Sequence, residues 1–335
     1  MYYQIGIRSH SKGIFYKEAE IGKQIGNKRI FWIEPNCLIL NIVFAWEQAV
    51  AKTSEKEVGM VASHRFPMYK VLNNSLDYIV DFFKTEKGKQ LLQMASPGGA
   101  GRNKTLNQDF FLNSKIYLPS LNEQLKTTEL IELIEDRIET QIKIINDYKL
   151  LKRYITKSFI KQKGTSYLLS EIAELGRGRV ISSAEISKQK NPIYPVYSSQ
   201  TSNNGVMGYL DNYDYEGEYI TWTTDGANAG TVYYRNGKFN CTNVCGILKI
   251  KNGYDAYYIS NILNCYTKKY VSTNLANPKL MNNVMANIKI NLPSIERQKY
   301  FSNILKAIEY RIKIEQDIKL NLVKQKVFLL KNMFL

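Results

Sequence analysis

The side chains in this sequence best able to do chemistry are amides, hydroxyls and cations, and they gather in short runs punctuated by glycine. One run is Ser96-Pro97-Gly98-Gly99-Ala100-Gly101-Arg102-Asn103-Lys104-Thr105, and a second opens at Gly176-Arg177-Gly178-Arg179-Val180. A third is Tyr194-Pro195-Val196-Tyr197-Ser198-Ser199-Gln200-Thr201-Ser202-Asn203-Asn204-Gly205. Thr224-Asp225-Gly226-Ala227-Asn228-Ala229 and Asn277-Pro278-Lys279-Leu280 follow it. Asn and Gln can pair bidentately with adenine, and Arg or Lys with guanine, while Lys and exposed backbone N–H groups suit phosphate. On this chemistry the candidate DNA contacts are Arg102, Asn103, Lys104, Arg177, Arg179, Tyr197, Ser199, Gln200, Asn203, Asn204, Thr224, Asn228, Asn277 and Lys279. A polar loop residue taken singly is most often a solvated turn. Placement says more: Asn103-Lys104-Thr105-Leu106 and Asn277-Pro278-Lys279-Leu280 occupy matching places in two halves of the chain.

Other chemistries fit poorly. Gly98 to Thr105 nearly spells a P-loop, but Asn103 stands where glycine is needed and the run follows an expected helix rather than a strand. Asn191-Pro192-Ile193-Tyr194 is one residue from the N-P-P-Y of amino-methyltransferases. No F-x-G-x-G loop for a methyl donor accompanies it, and Gly176-x-Gly178 is a lone, weak signal. Cys241 and Cys245 form C-x-x-x-C, the other cysteines are Cys37 and Cys265, and the two histidines are His10 and His64. That is no zinc pattern, so reduced, partly buried thiols are expected. With no Cys/His pair and no G-x-S-x-G elbow, no enzymatic core is expected.

Lys+Arg 46 against Asp+Glu 30 gives a net charge of +16, which points to a polyanionic partner. The 335 residues, 44% hydrophobic and 23% charged, allow two or three domains with real cores. No apolar run is long enough to span a membrane, and Met1-Tyr2-Tyr3-Gln4 opens no signal peptide. A cytoplasmic protein is expected.

The elements that must position these runs come as a repeat. Leu118-Pro119-Ser120-Leu121-Asn122-Glu123-Gln124 recurs as Leu292-Pro293-Ser294-Ile295-Glu296-Arg297-Gln298, with the prolines 293 − 119 = 174 residues apart. The same offset relates Glu135 to Glu309, Lys152 to Lys326 and Lys157 to Lys331. So long a period marks duplicated domains, not a solenoid. After each Leu-Pro-Ser, where serine can cap, apolar residues recur at helical steps: Ile131, Ile134, Ile138, Ile145, Tyr148, Ile155 and Phe159, then Leu305, Ile308, Ile312, Leu322, Leu329 and Met333. About forty residues at ~1.5 Å each give a rod of roughly 60 Å. One narrow stripe per rod wants one partner helix, and pairing within the chain is preferred over a homodimeric coiled coil. Before the first rod, Ile5–Ile7, Arg29–Ile33 and Leu38–Phe44 read as strands, and Asp77–Lys84 as a helix continuing into Gly88–Leu92. Between the rods, Glu218–Thr223 and Gly230–Tyr234 read as short strands.

Two variable domains, each ending in L-P-S and a long helix, resemble the specificity subunit of type I restriction–modification systems. The resemblance covers essentially the whole chain. Tyr194 to Gln200 and Trp222 to Ala227 are similar to target recognition domain segments, and Gly98 to Lys104 is similar in kind. The fold so implied is α+β, with two globular mixed α/β target recognition domains, two long antiparallel coiled-coil helices separating them and an internal pseudo-twofold repeat. Its parts are 1–117 (first recognition domain), 118–164 (central spacer helix), 165–291 (second recognition domain) and 292–335 (C-terminal spacer helix).

The resemblance further implies a non-catalytic reader of double-stranded DNA with a bipartite target, because a rigid spacer between two readers fixes half-site separation. It implies two methyltransferase subunits and restriction/motor subunits as partners, with S-adenosylmethionine, ATP and magnesium held by them and no cofactor or metal in this chain. One departure stands out: Leu168-Leu169-Ser170-Glu171-Ile172 opens the second domain but has no counterpart at Tyr2-Tyr3-Gln4-Ile5-Gly6, as though the first domain were truncated or divergent. The rival readings are a DNA-modifying enzyme carrying its own catalysis and a coiled-coil scaffold that does not bind DNA.

Overall fold

The computed structural model describes all residues except 22–28, 99–103, 161, 273–276 and 335. The chain forms two compact units, Met1–Lys143 with Gln316–Leu335, and Ile144–Glu315. Each takes half of both long helices, so the units do not end where the rods begin.

The first unit is built from short strands: β1 (Ile5–Ile7), β2 (Ile14–Tyr16), β3 (Ile30–Trp32), β4 (Leu38–Leu40), β5 (Val50–Lys52), β6 (Val61–Ser63) and β7 (Met68–Tyr69). They pair as β1-β2, β3-β6 and β5-β4-β7. The single helix expected after them is two. Helix α1 (Leu76–Lys84) is capped by Ser75, and Thr85 both ends it and caps α2 (Glu86–Met94) by accepting from the Gly88 N–H at 3.1 Å. Apolar faces of β4, β5, α1, α2 and the short α3 (Gln108–Asn113) meet around Leu40, Tyr78, Phe83, Leu92 and Phe111.

In the second unit β8 (Thr165–Leu168), α5 (Leu169–Ile172), β9 (Ala173–Arg177), α6 (Ser183–Ser187), β10 (Tyr194–Tyr197) and β11 (Val206–Leu210) lead into three longer strands. These are β12 (Tyr215–Thr223), β13 (Val232–Cys241) and β14 (Cys245–Ile250), followed by α7 (Ala256–Tyr266), α8 (Asn282–Ala286) and β15 (Lys289–Leu292). Six strands form one sheet in the order β11-β10-β13-β12-β14-β9, while β15 pairs with β8. Its core gathers Trp222, Tyr258, Leu263, Leu280 and Phe301, each worth about 1.5–3 kcal/mol on full burial.

The rods are α4 (Leu121–Ile160, 40 residues) and α9 (Ile295–Asn332, 38 residues). At the first start Ser120 and Glu123 form a reciprocal cap, Ser120 N–H to Glu123 at 3.0 Å and Glu123 N–H to the Ser120 hydroxyl at 3.4 Å. The repeated glutamine has a physical reason. The Gln124 side chain accepts the Ser75 N–H at 3.0 Å and donates to the Pro119 carbonyl at 2.9 Å. Gln298 accepts the Asp255 N–H at 3.0 Å and donates to the Pro293 carbonyl at 2.8 Å. Each buried amide thus ties a rod start to the capping residue of α1 or α7, which explains why Gln stands five residues after Pro in both copies.

Within each unit the rods run antiparallel. In the first, Gln124 lies at Ser75, Phe334 stacks on nearby Tyr78 at 4.7 Å, and Glu135 meets Lys326 further along. In the second, Phe159 lies on Phe301 and Lys152 pairs with Glu309. The two ion pairs are one pair repeated, since 135 + 174 = 309 and 152 + 174 = 326. Half-exposed pairs contribute about 0–1 kcal/mol, so they mark register while the buried Ile131, Ile145, Leu305 and Leu322 supply the cohesion.

Candidate nucleic-acid interface

In the second unit the loop from Thr224 to Gly230, between β12 and β13, is fixed at its root. Thr223 N–H donates to the Thr231 carbonyl at 3.0 Å, Thr224 N–H to Val244 at 3.1 Å, and Leu280 N–H to the Thr224 carbonyl at 2.9 Å. Asp225 bridges Lys279 in an antiparallel step, and Gly226 N–H reaches the Pro278 carbonyl at 3.0 Å. Two segments about fifty residues apart in sequence therefore form one surface. Asn228 and Asn277 are exposed on it, and the Lys279 ammonium lies 3.7 Å from the Asp225 carboxylate.

Thr224 requires a correction. It is completely buried, its hydroxyl on the Val244 carbonyl at 2.9 Å and on Asp225 at 2.6 Å, so it cannot meet a base; it orients Asp225 instead. Arg179 is exposed but already clamped between Glu185 at 2.7 Å and Asp214 at 3.1 Å. A phosphate would have to displace one of those carboxylates. Arg177 reaches Asn282 at 3.2 Å across β9 and α8.

The run from Tyr197 to Gly205 is organised by a residue that sequence reasoning missed. Arg235 on β13 is 4% exposed, its guanidinium 3.5 Å from the Tyr197 ring and 4.4 Å from the Tyr233 ring. It donates to Thr221 Oγ1 at 3.2 Å and to the Asn204 carbonyl at 2.9 Å, and burial lowers its pKa from the ordinary guanidinium value. Asn203 (φ 48°), Asn204 (φ 53°) and Gly205 (φ 84°) take three successive left-handed conformations, which Asn and Gly tolerate best. Arg235 holds that strained turn through its Asn204 carbonyl, so the exposed Asn203 and Asn204 side chains are presented in a fixed pose. Gln200 donates to the Val206 carbonyl, and Ser199 is half-buried beside it. A charge on an alternating strand surrounded by tyrosines gave no pattern in the sequence to separate it from a solvent-facing arginine.

Arg235→Met should lower the melting temperature only slightly, because the desolvation cost of the buried guanidinium offsets the loss of its bonds to Thr221 and the Asn204 carbonyl. Discrimination between target and non-target DNA should fall by about tenfold as the turn loosens, as titration against both DNAs would read. Unchanged discrimination would make Arg235 a packing residue alone.

In the first unit Lys104 lies 5.1 Å over the Trp46 ring. Arg102 and Asn103 fall outside the described residues. All four cysteines are free, three of them buried, and the described residues contain no cluster of three or more His, Cys, Asp or Glu able to hold a metal. No described helix is long and apolar enough to cross a membrane.

The family model for the type I restriction modification DNA specificity domain matches residues 164–325, which take in the surface formed by Thr224–Gly230 and 277–280 and most of α9. A Mycoplasma pneumoniae protein assigned as the N-terminal part of a type I specificity subunit is 44% identical over 142 residues, 42% of this chain and 75% of that protein. Another, from the same organism and assigned as a type I specificity subunit, is 37% identical over 199 residues, 58% of this chain and 82% of its own length. The chain belongs to the type I specificity subunits.

The fold agrees along nearly the whole subunit. The crystal structure of a type I restriction–modification S subunit from M. genitalium superposes with a TM-score of 0.61, covering 91% of this chain and 84% of that one at 14% identity. The family model lies on the second half of this specificity subunit, and the likeness of fold extends over the first half as well.

Proposed function

We propose that this specificity subunit reads double-stranded DNA for a type I restriction–modification complex, one half of a bipartite target through each domain. The observation that carries this reading is the joining of Thr224–Gly230 to 277–280, which puts Asp225, Asn228, Asn277 and Lys279 on one surface of a chain with net charge +16. Loops rooted in a sheet hold amides at fixed positions for base edges and cations for phosphates. The chain is non-catalytic. Two methyltransferase subunits and restriction/motor subunits complete the assembly and bring S-adenosylmethionine, ATP and magnesium. The long helices receive the methyltransferases: Tyr154 and Phe328, 72% and 65% exposed and 174 residues apart, give the two helices one equivalent apolar docking point each.

Lysines beside the loops make phosphate contacts. Lys279→Ala, and separately Lys104→Ala, should weaken binding to every DNA sequence and flatten the log–log salt dependence by about one unit of slope. A change in target discrimination at constant slope would instead make these lysines base readers.

A further inference from the structure

Outside the segment that ends at Leu106 and Leu280 the two domains share little legible sequence, yet their hydrogen bonds coincide. In the second unit Trp222 pairs with Val232 and Ile220 with Leu248; in the first, Leu40 pairs with Val50 and Leu38 with Tyr69. The three bonds at the root of the Thr224–Gly230 loop recur as well. Asn41 N–H donates to Ala49 at 3.0 Å, Ile42 N–H to Arg65 at 3.0 Å, and Leu106 N–H to the Ile42 carbonyl at 2.8 Å. Ile42 is thus the counterpart of Thr224, and Val43-Phe44-Ala45-Trp46-Glu47-Gln48 of Asp225-Gly226-Ala227-Asn228-Ala229-Gly230. The correspondence is independently anchored, because Leu106 and Leu280 are related by the same 174-residue offset as the rods.

We infer that the first domain meets DNA through Ile42–Gln48, with Phe44 contacting a thymine C5-methyl group in the major groove. This rests on the DNA-reading function proposed above. The chemistry of the loop differs from that of its counterpart. Where the second domain offers amides, this loop offers Phe44, 44% exposed, and Trp46, whose indole N–H is held on the Val43 carbonyl at 3.2 Å. Two cation-bearing residues contact it. Arg65, exposed, is the residue whose carbonyl binds Ile42, and Lys104 covers the Trp46 ring. A half-exposed apolar ring on a loop whose neighbours include two phosphate-seeking cations fits a base methyl, the one apolar feature of the major-groove edge.

The test is methylation-motif sequencing in cells co-expressing the subunit, wild type or Phe44→Ala, with methyltransferase subunits. The exposed position makes the variant safe for folding, which a thermal melt of the purified chain checks. Phe44→Ala should relax the motif at one T·A position of one half-site, raising methylation of sites that carry another base pair there by about tenfold, and leave the second half intact. Replacing that thymine with deoxyuridine in a binding assay should weaken the wild type and not the variant. An unchanged motif would overturn the inference while leaving the wild-type motif, and so the reading function, standing. So would relaxation at a position other than T·A, or relaxation by Trp32→Ala, on the exposed aromatic edge of β3, in place of Phe44→Ala. Absence of any motif for the wild type would instead remove the reading function itself.

Discussion

Replacing Ser166–Ile290 with the corresponding domain of a relative should change one half of the methylated motif and leave the other half and the gap as they were. The junctions are built for it. On the second domain, β8 and β15 pair in register from Thr165↔Leu292 to Leu168↔Lys289, so chain entry and exit lie side by side. Gly164 backs directly onto the Leu292 carbonyl, where an added Cβ would come within 2.3 Å, so the graft should keep that glycine. The rod starts keep their own clamps, Gln124 with Pro119 and Gln298 with Pro293, on the rod side of each junction. Gln298 also needs a capping residue's N–H, which Asp255 supplies from inside the exchanged segment, so the donor domain must bring its own helix start. Sequencing of modified adenines in cells carrying the chimera reads the result. Should both halves change together, the domains are not independent readers.

Trp222→Ala should be the most damaging single change in the second domain. The indole is fully buried, its N–H on the Leu280 carbonyl at 3.0 Å, and Gly246 passes so close beneath it that a Cβ there would lie 2.1 Å from the ring. Trp222 therefore joins β12 and β14 to the segment that carries Lys279. Emptying the site should cost about 3–5 kcal/mol. That is a large share of a domain's ~5–15 kcal/mol and should lower the melting midpoint by roughly 10 °C. Trp222→Phe keeps most of the volume but orphans the Leu280 carbonyl, at about 1–3 kcal/mol. A melt by circular dichroism that moved by less than ~2 °C for Trp222→Ala would contradict this packing.

The rods were legible because their signal is redundant: Pro119 and Pro293, the serine caps and a stripe such as Ile131, Ile134 and Ile145 all agree, and the second copy repeats the agreement. The surface of the second domain was half legible. Ser, Asn and Gly mark loops, so Asn228, Asn277 and Lys279 could be picked out; whether a hydroxyl faces outward is a tertiary matter, and Thr224 points in. Arg235 was illegible because burial of a cation between Tyr197 and Tyr233 depends on strands distant in sequence. The first domain hid its loop for the opposite reason. Val43, Phe44 and Trp46 look like strand residues, so Leu38–Phe44 reads as one strand, yet β4 ends at Leu40 and the chain turns away at Asn41, whose side chain accepts the Val43 N–H at 3.1 Å. Asp77–Leu92 failed at Thr85 alone, a β-branched hydroxyl that can cap as readily as it can continue a helix.

Mapping methylated motifs across the host genome with the gene present, deleted and restored tests whether this chain chooses the DNA sequence that a methyltransferase modifies. A bipartite motif with an unread gap is expected to be methylated in the first strain, absent in the second and recovered in the third. Persistence of every motif after deletion would contradict the claim.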